Sequence, residues 1–252
     1  KGVEVQTETR ALAIEGTGDD LRCVKTNKGE IPADFVILSV GVRPNVSLAK
    51  EAGLEIGGTG AIRVNRRMQT SDLDIYAVGD CAEKRDFLTR KLNTTMLAST
   101  ACAEARVAGM NLYELSPCKI FNGTIAIYDT AIGNTALGTA GITEWNAKEE
   151  KFNVVVGSFT GMDKHPGSLE GMHEQTVKLL VAADCGMIIG GEVYGGYSVG
   201  ELTNAIGFLI QTHTNIKTLL SAQIGTHTLL TGSPAAYPLI KAAENVVKKL
   251  KR

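Results

Sequence analysis

The sequence predicts a mixed fold, α/β in its first half and α+β in its second, and three patterns carry that expectation. Residues 3–40 hold short apolar alternations bounded by turn residues, as antiparallel strands do. A small-residue stretch with helical spacing occupies 94–113. Beyond residue 117 strand-like runs come first and helix-like runs follow, the order of an α+β unit.

Composition narrows the class. At 252 residues and 44% hydrophobic content the chain can form more than one core. Lys plus Arg number 26 against 27 Asp plus Glu, so no broad basic field is available for nucleic acid or an anionic membrane. Lys248, Lys249, Lys251 and Arg252 end a helix, where cations suit the dipole and stay solvated. Cys23, Cys81, Cys102, Cys118 and Cys185 form no Cys-x-x-Cys pair, and their odd number argues against a secreted disulfide framework, so a reducing cytoplasm is expected. No apolar run is long enough to span a bilayer. Val3 and Val5 look like part of a strand, which suggests a chain that starts within an element and is a fragment.

In order along the chain, strands are expected at Val3/Val5, at Ala11 to Ile14, and at Leu21/Val24 up to the turn Asn27-Lys28-Gly29. Phe35 to Val40 then reads as a buried strand. The run Asp74-Ile75-Tyr76-Ala77-Val78-Gly79-Asp80 joins a short interior strand, Ile75 to Val78, to a carboxylate at its mouth. Gly79 there lets a ligand approach the backbone without meeting a Cβ. By itself Asp80 reads equally as a turn residue or a helix cap. In the 94–113 helix, Met96, Leu97, Ala101, Cys102, Ala105, Ala108 and Leu112 are expected to share the packed face, and the amides from Thr95 to Ala98 to carry its positive end. Strands follow at 120–128, 133–138, 152–159, 175–182 and 187–194, with a hairpin turn at Ala183 to Gly186. Ser198-Val199-Gly200-Glu201 has the form of a capping box opening a helix with Leu202, Ala205, Ile206, Leu209 and Ile210 on one face. A last helix after Pro238 aligns Leu239, Ile240, Ala243, Val246, Val247 and Leu250.

Taken with Thr70, Ser71 and the turn Gly41-Val42-Arg43-Pro44-Asn45, the Ile75 to Asp80 run resembles the second flavin-binding segment of the pyridine nucleotide-disulfide oxidoreductases, which include NADH oxidases, coenzyme A disulfide reductases and glutathione reductase. The resemblance covers essentially the whole chain, at half the family's usual length. It implies residues 1–41 as the end of an NAD(P)H-binding domain, 42–116 as the second segment of an FAD-binding domain, and 117–252 as an interface domain, with Ser116-Pro117 the boundary. It further implies that Gly79 and Asp80 hold the ribityl chain of FAD, and that Thr95, Met96, Leu97 and Ala98 offer amides to the flavin's pyrimidine ring.

The implied activity passes electrons from NAD(P)H through FAD to a disulfide, a cysteine sulfenic acid or oxygen, as in an NADH oxidase or coenzyme A disulfide reductase. The dinucleotide-binding Gly-x-Gly-x-x-Gly turn and the family's redox cysteine do not occur in these residues, so the chain alone is expected to be inactive. Another class of function is a non-catalytic dimerisation module retaining half a flavin site. Glutathione reductase-like members carry a C-terminal His-Pro followed by a Glu; here His227 is followed by Thr228, and Gly232 replaces the Glu, so His227 keeps its place as an acid/base acting in trans without the carboxylate that would orient it. His165 and His173 show no acidic or cysteine partner at metal spacing, and no metal site is expected. The apolar faces of the helices at 198–214 and 239–250 exceed what one sheet could cover, which predicts a homodimer through 117–252 that brings His227 and Tyr237 towards the partner's flavin.

Overall fold

A computed structural model of the chain describes residues 2–113, 117 and 119–250. Ser116, half of the expected boundary, lies outside the described residues. The chain forms two compact units, residues 1–43 and 44–252.

The first unit is an antiparallel meander of β1 (Ala11–Thr17), β2 (Asp20–Thr26) and β3 (Gly29–Pro32). Its second turn is closed by Thr26 Oγ1, which donates to the Gly29 carbonyl at 2.7 Å, and Gly29 takes φ +131°, a conformation that glycine adopts readily. Two expected strands are not formed. Val3 and Val5 are 80% and 79% exposed, and Phe35, Ile37, Leu38 and Val40 are 71–90% exposed without regular structure. Neither segment meets a neighbouring strand among the described residues, and without a ladder partner an apolar run has nothing to order its backbone groups.

The second unit opens with α1 (Ser47–Glu51) and a loop-rich region held by isolated bridges, Ile56 to Ile62, Ile62 to Ala82 and Gln69 to Tyr76. Ala49, Ile62, Met68, Ala77, Ala82 and Ala108 form its small core. The expected interior strand at Ile75 to Val78 is corrected here: among the described residues the segment pairs on one side only, Ala77 N–H donating to Met68 O at 3.1 Å and Thr70 N–H to Ile75 O at 2.9 Å, and Ile75 is 38% exposed. A one-turn 3₁₀ helix, Gly79–Cys81, follows, then the short hairpin of β4 (Lys84–Arg85) and β5 (Leu92–Asn93) and the helix α2 (Ala98–Leu112). The buried stripe of α2 is Thr100, Glu104 and Ala108, whereas Cys102, Ala105 and Leu112 are exposed. Apolar periodicity pointed elsewhere because two of these three buried residues are polar.

The remainder is an antiparallel sheet with strand order β6-β7-β10-β9-β8, built from β6 (Ile127–Ile132), β7 (Thr135–Gly141), β8 (Val154–Met162), β9 (Glu174–Ala182) and β10 (Ile188–Gly195). Its first strand starts later than the expected 120–128. Phe121 and Thr124 bond to the preceding region instead: Phe121 N–H donates to Arg66 O at 2.8 Å and Thr124 N–H to Arg85 O at 2.8 Å. A short α3 (Glu144–Glu149), capped by Thr143, sits between β7 and β8.

Helices α4 (Val199–Gln211), α5 (Ile216–Leu220) and α6 (Pro238–Leu250) complete the fold. Leu202, Ile206 and Ile210 of α4 and Leu239, Ala243 and Val246 of α6 are buried against Val177, Leu179, Val181 and Val193 of the sheet. Both helix faces are therefore covered within one chain, which corrects the reason given for expecting a dimer. The opposite sheet face leaves Tyr128, Leu137 and Tyr194 41–50% exposed around a depression of about 390 Å³. The capping box is also absent: Ser198 has φ −77° and ψ −4°, and its Oγ accepts from Gln175 Nε2 at 2.6 Å rather than from the helix. Among the described residues, no helix is long and apolar enough to cross a membrane.

Candidate functional site

The Gly79-Asp80 turn is fastened to α2 by a buried charge pair that the sequence reading did not find. Gly79 has φ +77° and packs on the first turn of α2, where a Cβ would lie 3.4 Å from that of Ala101. One turn further along the helix, Glu104 Oε2 accepts the Gly79 N–H at 2.7 Å. Lys84 Nζ donates to the carbonyls of Gly79 at 2.9 Å and Ala82 at 2.8 Å and lies 3.7 Å from Glu104 Oε1. The Lys84 and Glu104 side chains are 3% and 0% exposed. Among the described residues Glu104 Oε1 accepts no hydrogen bond, and Lys84 answers it by charge. Burial pushes the Glu104 carboxyl above its ordinary value, while Lys84 and the Gly79 N–H pull the other way. The signal in the sequence was a lone Glu inside a small-residue helix and a Lys four residues after Asp80.

This clamp leaves Asp80 itself outward. Its residue is exposed, and among the described residues its carboxylate accepts no hydrogen bond. Beside it α2 begins at Ala98, after Leu97 and without a side-chain cap, so the N–H groups of Ala98, Ser99 and Thr100 have no acceptor from a described side chain. Met96 and Leu97 are half-buried and Ala98 is exposed. Thr95 stands differently from its expected place, because its N–H already donates to Asn93 Oδ1 at 2.6 Å. An exposed carboxylate and a set of unsatisfied amides thus lie together, positioned by a glycine that admits close approach. Such a surface suits a ligand with hydroxyls at one end and an electron-rich polar edge at the other.

The other candidates stand apart from this pair in kind. His227 is exposed in a turn, where its Nδ1 accepts from Leu229 N–H at 3.2 Å and its own N–H donates to Thr231 Oγ1 at 3.1 Å. Among the described residues no carboxylate is paired with its ring. His173 does have an acidic neighbour, contrary to expectation: Asp163 Oδ2 lies 3.4 Å from its Nδ1, and Asp163 Oδ1 accepts its backbone N–H at 2.9 Å. The partner sits across a ten-residue loop, which spacing rules do not read. Tyr237 is half-buried, and burial raises its phenol above the ordinary value. Cys81 is half-buried, with its thiol 3.4 Å from the Val78 carbonyl.

In the first unit Glu15, Cys23 and Glu30 bring ligand-type atoms within 4.8 Å of one another. Arg22, at 3.0 Å from Glu15 and 3.6 Å from Glu30, and Lys25, at 4.0 Å from Glu15, already pair with these carboxylates, and burial pushes the Cys23 thiol above its ordinary value.

Comparison with known proteins agrees with this architecture. The family model for pyridine nucleotide-disulphide oxidoreductases matches residues 1–105, and that for the dimerisation domain of the same proteins matches residues 127–235. An NADH oxidase of Methanocaldococcus jannaschii is 32% identical over 225 residues, covering 86% of this chain and 47% of the relative. An NAD(P)H coenzyme A polysulfide/persulfide reductase of Pyrococcus horikoshii is 32% identical over 85% of the chain and 47% of the relative. The solved structure of a NAD-dependent persulfide reductase from A. fulgidus matches with a TM-score of 0.86 at 30% identity, over 99% of this chain and 45% of that one. The chain therefore spans about half the length of the relatives it matches. With both domains of the family recognised in order, and the mixed α/β fold and dimerisation sheet they specify in place, the chain belongs to the pyridine nucleotide-disulphide oxidoreductase family.

Proposed function

We propose that this chain is part of an FAD-dependent NAD(P)H oxidoreductase of the NADH oxidase or coenzyme A disulfide reductase type, and that it supplies one side of the flavin site. In this reading residues 1–41 end the NAD(P)H domain, 42–116 form the second flavin segment, and 117–252 form the interface domain. The observation that carries it is the juxtaposition of the exposed Asp80 carboxylate with the uncapped start of α2. Bound flavin would supply two-electron transfer between a nicotinamide and the final acceptor. Asp80 would accept hydrogen bonds from the ribityl hydroxyls, and Gly79 would admit the chain without a steric barrier. The amides of Leu97 and Ala98, with those of Ser99 and Thr100, would stabilise negative charge at the ring edge. Lys84 and Glu104 touch neither; their role is to hold the turn that presents Asp80.

The named relatives point to oxygen or a sulfur species as the acceptor. His227 from a partner subunit would act as an acid/base in trans, without an orienting carboxylate. The test is the visible spectrum of the protein expressed from its own gene. A yellow protein whose flavin absorbance is bleached by NADH or NADPH under anaerobic conditions supports the reading. A colourless protein that fails to take up FAD contradicts it and leaves a dimerisation module.

A further inference from the structure

The second unit contains a cleft of about 720 Å³ that shares Thr70, Ser71 and Lys84 with the proposed flavin segment but is lined by neither Gly79, Asp80 nor Thr95 to Ala98. Arg63, Arg66, Arg85 and Arg90 stand around it, with Phe121 and Leu92 as apolar surface. Four guanidiniums at one concavity are a departure from a chain whose net charge is −1.

Their partners differ. Arg63 is paired with Glu55, and Glu83 is occupied by the Thr59 N–H and hydroxyl at 3.0 and 3.1 Å. The other three arginines have neutral acceptors: Arg66 donates to Asn122 Oδ1, Arg90 to the Asn122 carbonyl, and Arg85 to the Arg90 carbonyl at 3.1 Å. Arg90 also lies over the Phe87 ring, 5.6 Å from its centroid. These contacts fix the guanidiniums without neutralising them, and each guanidinium has more N–H donors than these bonds use. Two of the three are tethered to one residue, Asn122, and the third to Arg90 itself. Gly123, with φ +104°, brings the backbone so close to the hairpin that a Cβ would lie 2.7 Å from the Arg85 carbonyl, which keeps this rim tight.

We propose that this cleft binds a small molecule bearing an oligophosphate group. Glu55 and Glu83 also line the cleft, but Glu55 is paired with Arg63, and Arg66, Arg85 and Arg90 outnumber Glu83; planar, forked donors held by neutral acceptors match phosphate oxygens in charge and geometry. A cavity of 720 Å³ also exceeds the needs of a single phosphate and falls in the range of organic ligands. The proposal does not rest on the flavin reading.

The experiment is calorimetric titration of the 252-residue chain at low salt with tripolyphosphate, ATP and citrate. Saturable binding of tripolyphosphate and ATP, with citrate bound at least about tenfold more weakly, is the expected result. The triple variant Arg66→Gln/Arg85→Gln/Arg90→Gln changes only exposed side chains and should weaken binding at least about tenfold while keeping the far-UV circular dichroism of the parent. A charge-matched control, Lys148→Gln/Lys151→Gln/Lys217→Gln, should bind as the parent does. No binding of either phosphate compound, equal binding of citrate, or equal losses in the two triple variants would each overturn the proposal. If the arginine variant lost its fold, single Arg85→Gln and Arg90→Gln variants would decide instead, with an unchanged affinity in both counting against the site.

Discussion

At the residue scale the molecule turns on Glu104 and Lys84. A carboxylate and an ammonium taken out of water are stabilised by each other and by three backbone groups of the Gly79 to Ala82 turn. Removing one partner strands the other. Glu104→Ala is expected to cost about 3–5 kcal/mol of unfolding free energy, measured by urea denaturation, because it leaves Lys84 charged and buried and the Gly79 N–H without an acceptor. The pair also sets a pH dependence. Burial raises the folded-state value of Glu104 above its unfolded one, so between the two the folded chain holds more protons. Its contribution to stability is fully present below the ordinary glutamate value and is lost as pH rises through the raised folded value. Glu104→Gln, which keeps an acceptor for Gly79 but cannot ionise, should flatten that decline in urea midpoints; an identical pH profile in the variant would show that another group is responsible.

At the scale of elements, glycine decides how closely helix and sheet approach. A Cβ at Gly157 in β8 would lie 2.5 Å from Val246 N and 2.6 Å from the Ala242 carbonyl, both backbone atoms of α6. Gly157→Ala must push the helix away from the sheet, and a loss of about 1–3 kcal/mol is expected in thermal or urea unfolding. An unchanged midpoint would mean that α6 is held less tightly than its buried Ala242, Ala243 and Val246 suggest. The same scale shows what the sequence could tell. The period of α4 and α6 was legible because Leu202, Ile206, Ile210, Leu239, Ala243 and Val246 are both apolar and buried. The stripe of α2 was not, because Thr100 and Glu104 are buried by virtue of partners at Thr124, Gly79 and Lys84 that sequence spacing does not display. Phe35 to Val40 has the composition of an interior strand but finds no ladder among the described residues. Asp80 was visible as a carboxylate after a glycine; the clamp that aims it was not.

At the scale of the whole molecule, the dimerisation-domain match at residues 127–235 leads us to propose a twofold dimer through this region. The faces of α4 and α6 do not supply the surface, since they pack on their own sheet. The exposed Tyr128, Leu137 and Tyr194 of the opposite sheet face are available for it. Sedimentation equilibrium at micromolar concentration should give twice the 26.7 kDa chain mass, and a persistent monomer would remove the proposed contribution of His227 in trans. The 252-residue chain is also expected to consume no NADH when FAD is added, because no dinucleotide-binding turn or redox thiol is found in it. Turnover that survives removal of contaminating flavoenzymes would place the chemistry elsewhere in these residues.

The central claim is that the Gly79-Asp80 turn presents a carboxylate to the sugar-like chain of a flavin. Its most direct test is the FAD dissociation constant of the protein expressed from its own gene, measured for the parent and for Asp80→Ala by flavin fluorescence. Asp80 is exposed and bonded to no described side chain, so its replacement should leave stability within about 0.5 kcal/mol. Loss of charge-assisted hydrogen bonds should nevertheless weaken FAD binding by about 1.5–3 kcal/mol, roughly ten- to a hundredfold. An unchanged dissociation constant in a correctly folded variant would contradict the account and return Asp80 to the role of a turn residue.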